Sequence, residues 1–484
     1  MKIVLLNPPF KPECGKFSRA SRSPAITKSG TLYYPIWLSY ACGLLEKNGH
    51  KVCLIDSCAT QSNLEDTLEK IKAFKPGLVV VDTSTPSINS DIQCVDAIKN
   101  MDSSIFICLV GTHPTVLVDE VLDMSYNIDA IARHEYDVTL VDLVSALENN
   151  RSLLEVKGIS YKENNEHIHN ENREYIQNLD EIPFVSSVYK KHLDRNNYFF
   201  AAGEFPMVMI MTGRGCPSRC FFCVYPQTFH GHGYRLRSAQ NVVDEFEYII
   251  KEMPDVKSIG IEDDTFTANQ ERTREICRLI IERGINKKIN WWANTRVNLS
   301  YETMVMMKKA GCRLIIPGFE SGDQEILNNI RKGIKIEQSR LFMQNARKAG
   351  LLVHGCFMVG NKGETKASMQ KTLELALELS PDTAQFFPLI PYPGTEAYKW
   401  AKENGYLKDL KFDQWLTKEG LHECVLNLPE LSSEDLVKFC DNARKKYYLR
   451  TKYIFYKFRQ CMFSAEERKR TMKSFKQFAK FLLK

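Results

Sequence analysis

Three cysteines fall within one short run, Met211-Thr-Gly-Arg-Gly-Cys216-Pro-Ser-Arg-Cys220-Phe-Phe222-Cys223, with the spacing C-x3-C-x2-C. Three thiolates so placed can each hold one iron of a cubane [4Fe–4S] cluster, and the fourth iron, lacking a protein ligand, stays open to donor atoms of a substrate. Zinc is the competing reading. It favours a fourth Cys or His and paired C-x2-C spacing, and His230 and His232 are the nearby residues that could serve. Other groups able to do chemistry follow at intervals: Glu262, Asp263 and Asp264, then Arg296, then Glu320 and Ser321. Each group directly follows an apolar run of strand length, where a parallel sheet presents its carboxyl edge.

Those runs define the elements that must position the chemistry. Strands are expected at Met207–Met211, Ser258–Ile261, Ile289–Ala293, Leu314–Pro317, Leu352–Met358 and Thr383–Phe387, with helix-period segments between them. Six βα units make a partial or full barrel, whose reactive groups belong at the carboxyl ends of the strands. An earlier alternating series, Lys2–Leu6, Lys51–Ile55, Gly77–Val81, Ile105–Val110 and Ile128–Ala132, reads as a doubly wound parallel sheet. Its strand ends carry Asn7-Pro8, Asp82-Thr83, Gly111-Thr-His113 and Arg133-His-Glu135, the edge where such sheets bind ligands. Phe10 to Pro35 is a long Ser-, Lys- and Pro-containing loop, and a loop of that length in a compact domain is more often functional than idle. The fold class is therefore α/β: a Rossmann-like domain over 1–150, a polar linker with a short hairpin over 151–200, a partial (β/α)6 TIM-like barrel over 201–430, and a basic helical region over 431–484.

Bulk composition narrows the class. With 44% hydrophobic and 26% charged residues the chain reads as an ordinary soluble globular protein, not a disordered one. No run approaches the roughly 18 apolar residues that span a bilayer, and Met1–Phe10 reads as a first strand, not a signal peptide. A cytoplasmic setting is expected, so the 15 cysteines are read as thiols or metal ligands, most of them small core residues. The net charge of +6 is uneven: residues 443–484 hold 14 Lys/Arg against two Glu, about +12, leaving about −6 for the rest.

The cysteine run, with Phe222 in the aromatic slot, resembles the C-x3-C-x-aromatic-C motif of radical S-adenosylmethionine enzymes. The resemblance implies that the open iron chelates the amine and carboxylate of S-adenosylmethionine, which is cleaved reductively to a 5′-deoxyadenosyl radical. It places Gly260-Ile-Glu262-Asp263-Asp264 where many members carry Gly-Gly-Glu for the methionine amine, Asn294-Thr-Arg296 near the carboxylate, and Gly318-Phe-Glu320-Ser321-Gly322 near the ribose. This chain lacks the Gly-Gly-Glu triplet, and Asn361-Lys362 departs from the usual Gly-x-Pro-Gly-Glu-Thr. On the residues alone, Asp263 and Asp264 could instead cap a helix, Arg296 could pair with a surface acid, Glu320 could be a solvated loop carboxylate, and Gly363-Glu-Thr could be a turn opening a helix.

A doubly wound domain ahead of such a barrel resembles the cobalamin-binding branch of that family, through Leu6-Asn7-Pro8-Pro9, Tyr34-Pro35, Gly49-His50-Lys51-Val52 and Arg133-His134-Glu135-Tyr136. It implies cobalamin against Asn7, Pro8, Thr83, Gly111, His113 and Glu135. No Asp-x-His-x-x-Gly is present, so no histidine is expected on the lower cobalt face, and His113 is read as touching the corrin or a neighbouring loop. Two other readings of this domain are a nucleotide site, against which the first turn lacks Gly-x-Gly-x-x-Gly, and a second cluster on cysteines among Cys14, Cys42, Cys53, Cys58, Cys94 and Cys108.

The leading expectation is a cobalamin-dependent methyltransferase acting on a small or lipid-like substrate with an electron donor such as flavodoxin or ferredoxin. Radical oxidative ring closure and a non-catalytic cobalamin or redox sensor are the alternatives. In the tail, Tyr447, Tyr448, Tyr453, Phe455, Tyr456, Phe458, Phe463, Phe475, Phe478 and Phe481 interleave with Lys and Arg. That pattern suits an interfacial helix on the anionic inner face of a membrane, a single-strand nucleic-acid patch, or a helix whose aromatic face packs on the barrel. The nucleic-acid reading is the weakest of the three.

Overall fold

The structure is a computed structural model that describes residues 1–463, 467–468 and 470–472. Its first sheet contains β1 (Lys2–Asn7), β2 (Lys51–Asp56), β3 (Leu78–Asp82), β4 (Phe106–Val110), β5 (Ala130–Ala132), β6 (Ile159–Glu163) and β7 (Glu166–His169), in the order β2-β1-β3-β4-β5-β6-β7. The first five strands are parallel, and β3 is buried at every position because helices cover both sheet faces. Helix α1 (Ile36–Lys47) lies on one face. Between β1 and β3 the connections leave in opposite directions, which makes that edge the switch point where a crevice opens.

Residues 151–200 do more than connect. The hairpin β6–β7 adds antiparallel strands to the first sheet, and α2 (Val185–His192) packs on α1. Sequence periodicity cannot see this, because what decides it is the unpaired edge of β5.

The second sheet holds β8 (Met207–Ile210), β9 (Ser258–Ile261), β10 (Asn290–Thr295), β11 (Cys312–Glu320), β12 (Leu352–Val359) and β13 (Thr383–Pro388), all parallel and in chain order. This is the partial (β/α)6 barrel expected. Helices α3 (Ala239–Glu252), α4 (Ser433–Tyr448) and α5 (Thr451–Phe463) follow the pattern read from the sequence.

One apolar cluster runs through both sheets, from Ile3 and Val80 to Met207 and Phe386, so the domains share a core. Polar contacts reinforce the join. Tyr34 donates to the carbonyl of Met207 (2.8 Å), and the Tyr40 hydroxyl accepts from the amide of Met211 (3.0 Å). At the centre Glu135 meets Arg235, His230 and Arg214, while Arg214 also pairs with Asp137 at 2.8 Å.

The tail divides between two environments. Tyr447, Tyr448 and Tyr453 pack on or hydrogen-bond to the barrel, with Tyr453 donating to the carbonyl of Asp382 at 3.0 Å. Phe455, Phe458 and Phe463 face solvent, so the aromatic residues do not form one packed face. Phe475, Phe478 and Phe481 lie outside the described residues.

Candidate functional site

The cysteine loop leaves β8 and turns at once. Gly215 has φ +83°, and a Cβ there would stand 2.0 Å from the carbonyl oxygen of Gly233, so the turn excludes any side chain. Arg214, just before it, is buried against the N-terminal domain with its guanidinium over the rings of Trp37 (5.5 Å) and Tyr40 (5.0 Å). The loop's carbonyls are tied from several sides. Gln227 donates to the carbonyls of Cys220 (3.2 Å) and Cys223 (2.9 Å), and His232 Nδ1 lies 3.1 Å from the carbonyls of Cys216 and Ser218. The Phe221 amide donates to Ile330 and its carbonyl accepts from Ala397. The backbone is thereby held without using the thiols, which leaves three sulfurs for ligation.

His230 meets Glu135 through Nδ1 at 3.0 Å and His232 meets loop carbonyls through Nδ1, so either ring has only Nε2 left for a metal. What weighs against zinc is the spacing of the thiols. A single tetrahedral ion needs its donors close together. Among the described residues, the group whose ligand atoms lie mutually within 4.8 Å is Cys42, Glu46 and His192, not this trio.

The carboxyl ends of the barrel strands face the loop. Glu262 is buried and receives Asn294 Nδ2 at 3.3 Å; burial raises its carboxyl, and Arg22 partly offsets this. Asp263 is fully buried and accepts from both the amide and hydroxyl of Thr212 (2.6 Å each), which ties β9 to the start of the cysteine loop. Neither aspartate caps the next helix; Asn269 does. Asp264 Oδ2 is buried without a hydrogen-bond partner, and its charge is felt by Cys216 and Cys223, whose thiols burial pushes up. Among the described residues Arg296 forms no ion pair with an acid. It donates to Ser218 Oγ and the carbonyl of Lys332, both at 2.6 Å, and so braces the cysteine loop. Glu320 is buried with φ +63° and pairs with Lys332 (2.6 Å), whose ammonium lies 5.8 Å from the centre of the Phe222 ring. Ser321 is internal, 3.1 Å from Thr372 Oγ1. Thr365 caps the helix after Gly363-Glu364 as a structural turn.

At the carboxyl edge of the first sheet, Asn7 donates to Asp56 (2.7 Å), and Asn7 and Pro8 both accept from Arg19, whose guanidinium also pairs with buried Asp91 at 2.6 Å. Thr83 bonds to Val110 across β3–β4. Gly111 has φ +123°, and a Cβ would stand 2.4 Å from the carbonyl oxygen of Thr83, so this edge is smooth by necessity. His113 is buried 3.1 Å from Thr85 and edge-on to Phe412; burial lowers it to about 3, so its imidazole is neutral. Its partners belong to neighbouring segments. Asp82 stands among Asp91 and Asp56, and burial pushes it up to about 7. Cys42 and Cys108 belong to the core on one sheet face and Cys94 to that on the other, so those cysteines cannot share a second cluster.

Two adjoining clefts lie between the domains. One is lined by Asp82, Thr83, Thr85 and Gly111 from the first sheet and by Trp37 and Tyr136. The other reaches Met209, Met211 and Glu262 of the barrel. Ala20, Ser21, Arg22, Trp37 and Tyr225 line both. The sequence reading singled out the loop bearing Arg19 and Arg22 but neither arginine, because nothing local shows that it folds back across both sheets.

Residues 210–376 match the model of the radical SAM superfamily, and residues 22–144 match that of the B12 binding domain. An uncharacterized methyltransferase of Pyrococcus horikoshii is 32% identical over 94% of either chain. The chain belongs to the cobalamin-binding radical S-adenosylmethionine family. An anaerobic magnesium-protoporphyrin IX monomethyl ester cyclase of Cereibacter sphaeroides is 26% identical, over 88% of this chain and 68% of its own. The solved fold of the radical S-adenosylmethionine methyltransferase TsrM from Kitasatospora setae, with cobalamin and a [4Fe–4S] cluster bound, superposes with TM-score 0.69 over 91% of this chain and 90% of its own at 16% identity.

Membership in this family assigns a [4Fe–4S] cluster, S-adenosylmethionine and cobalamin as cofactors. The residues present fit them. Three thiols share one loop whose backbone is braced independently, and the orphan Asp264 Oδ2 lies beside them. In the other cleft the buried Tyr136 hydroxyl also lacks a partner, as a wall built for a polar ligand would provide.

Proposed function

We propose that this enzyme transfers a methyl group to an unactivated carbon of a small molecule. The observation that carries the reading is the pair of clefts: the switch-point edge of the cobalamin-type sheet and the carboxyl edge of the barrel line two adjoining clefts with shared walls. When bound, the cluster supplies the electron that cleaves S-adenosylmethionine, and cobalamin supplies a transferable methyl group. Cys216, Cys220 and Cys223 would hold the cluster, with Phe222 beside it. Glu262 and Asn294 would orient the methionine ammonium, and Asp264 would face the same end. Asp263 and Arg296 would hold the cysteine loop in register, while Glu320 and Ser321 would shape the ribose side. Asn7, Pro8, Thr83 and Gly111 would form the floor beneath the corrin, His113 would support it from behind, and Glu135 would fix the two domains to each other. The walls are aromatic (Trp37, Tyr136, Tyr225, Phe229 and Tyr392) and suit a flat or apolar substrate. A low-potential protein donor of the flavodoxin or ferredoxin class would deliver the electron. The name of the Pyrococcus relative supports methyl transfer; the cyclase relative supports oxidative ring closure as a second reading.

Reconstituted enzyme with S-adenosylmethionine, reductant and extracts as a substrate source is expected to form 5′-deoxyadenosine and S-adenosylhomocysteine together. Formation of 5′-deoxyadenosine alone with a turned-over substrate would favour the cyclase reading, and failure to bind cobalamin would remove both.

No helix among the described residues is long and apolar enough to cross a membrane. Helix α5 supports a surface contact instead. Ile454, Phe455, Phe458, Met462 and Phe463 are 53 to 79% exposed along one side, flanked by exposed Lys452 and Arg459, in a region of about +12 charge. Apolar residues would enter the headgroup boundary while the cations meet anionic lipid. Wild-type protein is expected to pellet with phosphatidylglycerol vesicles, and the double substitution Phe455→Ser, Phe458→Ser to weaken this at least about tenfold, given roughly 1.5–3 kcal/mol per buried phenylalanine. Equal pelleting of the two proteins would sink the contact.

A further inference from the structure

The segment from Ser18 to Pro24 crosses the junction of the two clefts and is fastened at both ends. At one end Arg19 forms a buried ion pair with Asp91, both side chains at most 1% exposed. At the other, Ser23 Oγ lies 3.2 Å from Tyr392 Oη and 2.9 Å from His422 Nε2. Between them the carbonyl of Ala20 accepts from Tyr225 at 2.9 Å.

Arg22 is held differently. Its guanidinium reaches Glu262 Oε2 (3.0 Å), the carbonyls of Glu262 and Asp263 (3.2 Å each) and Asp264 Oδ1 (3.5 Å), and it lies 5.5 Å from the centre of the Tyr225 ring. Its side chain is 34% exposed, whereas those of Glu262 and Asp264 are 8% and 1% exposed. The Arg22 guanidinium thus reaches solvent on one side and can exchange with it, whereas the pair of Arg19 is closed to solvent on both sides. Glu262 Oε2 already receives Asn294 as well as Arg22. An ammonium brought to the same carboxylate therefore meets the Arg22 guanidinium at close range, and two like charges on one partly buried carboxylate disfavour each other.

We propose that Arg22 is a latch that competes with the ammonium of S-adenosylmethionine for Glu262, and that its release lets residues 20–22 leave the junction and join the two clefts. This rests on the reading that Glu262 faces the methionine end. The latch keeps the methyl-bearing side apart from the radical-generating side until S-adenosylmethionine is seated. Arg22 is thus a positioning residue: it controls access and does not react. Arg19 serves as the fixed hinge, because its buried pair stays closed while Arg22 swings.

The test measures S-adenosylmethionine affinity on cluster- and cobalamin-loaded protein without reductant, so that no turnover occurs. Arg22→Ala is expected to bind about three- to tenfold tighter, since a competitor that lowers the competent fraction is removed, while Arg22→Lys stays near wild type. In the wild type, S-adenosylmethionine is expected to speed tryptic cleavage after Arg22, read by mass spectrometry. Unchanged or weaker binding by Arg22→Ala, or slower cleavage with S-adenosylmethionine present, would overturn the latch. Glu262→Gln tests the underlying reading separately: it is expected to weaken binding at least tenfold, and wild-type affinity in that variant would remove the basis of the latch itself.

Discussion

Replacing Cys220 with alanine is expected to leave a folded protein that no longer assembles its cluster and forms 5′-deoxyadenosine at least about 10³-fold more slowly, a modest part of the acceleration enzymes typically supply. Folding should survive because the loop is held through its backbone. The Phe221 amide bonds to Ile330, its carbonyl to Ala397, and the Cys220 carbonyl to Gln227, none of which uses the thiol. Ligation should not survive, because with two thiolates a second iron would lose its protein donor. Visible absorption and iron content of the reconstituted protein measure the first effect, and product formation the second. Cys461→Ser, in α5 and away from the loop, is the control and should retain both. A Cys220→Ala protein with full iron content would overturn the assignment of the trio.

The second large effect concerns Glu135. Its carboxylate is buried between Arg235 (2.9 Å to one oxygen), His230 (3.0 Å) and Arg214 (3.5 Å), all from the barrel side. Burial pushes this carboxyl up, but the bond from Arg235 and the charges of Arg214 and His230 outweigh it and hold it well below the usual carboxylate range. Glu135→Gln removes the charge and keeps the shape, leaving Arg235 buried with its partner neutralised. The expected cost is about 3–5 kcal/mol, the usual penalty for breaking one side of a buried pair, read by denaturant or thermal unfolding. The pH dependence has a definite sign. A carboxyl held below its unfolded value contributes its full stability above about pH 4.3 and loses it as pH falls toward the folded value. The gap between wild type and Glu135→Gln should therefore be constant near neutrality and narrow below about pH 4. A gap that widened in acid would contradict the arrangement. Because Arg214 directly precedes Gly215 and Cys216, the same substitution should also loosen the cysteine loop and lower cluster occupancy.

Much of the architecture is legible in the sequence. All six barrel strands and the five parallel strands of the first sheet lie within three residues of where apolar runs placed them, because a strand buried on both faces must be apolar throughout. The cysteine trio was legible because its three ligands fall in one loop, so that spacing alone conveys geometry. Residues that act through distant partners were not. Glu135 reads as a strand-end acid suited to a ligand, yet its partners at 214, 230 and 235 lie some 80 to 100 residues away, and only the docking of the two domains supplies them. Asp263 reads like its neighbour Glu262, and only the close approach of Thr212 assigns it to bracing.

The sequence by itself determined the two parallel sheets, the three-thiol loop and the basic tail, all set by local periodicity, spacing or charge count. Only the tertiary structure decided which carboxylates stay open to a ligand and which are spent on the frame. It also brought Arg22 to Glu262 across 240 residues of chain and set the two carboxyl edges on adjoining clefts. The physical reason is burial: a carboxylate taken out of water must find a cation or donor, and which one it finds depends on how the domains dock.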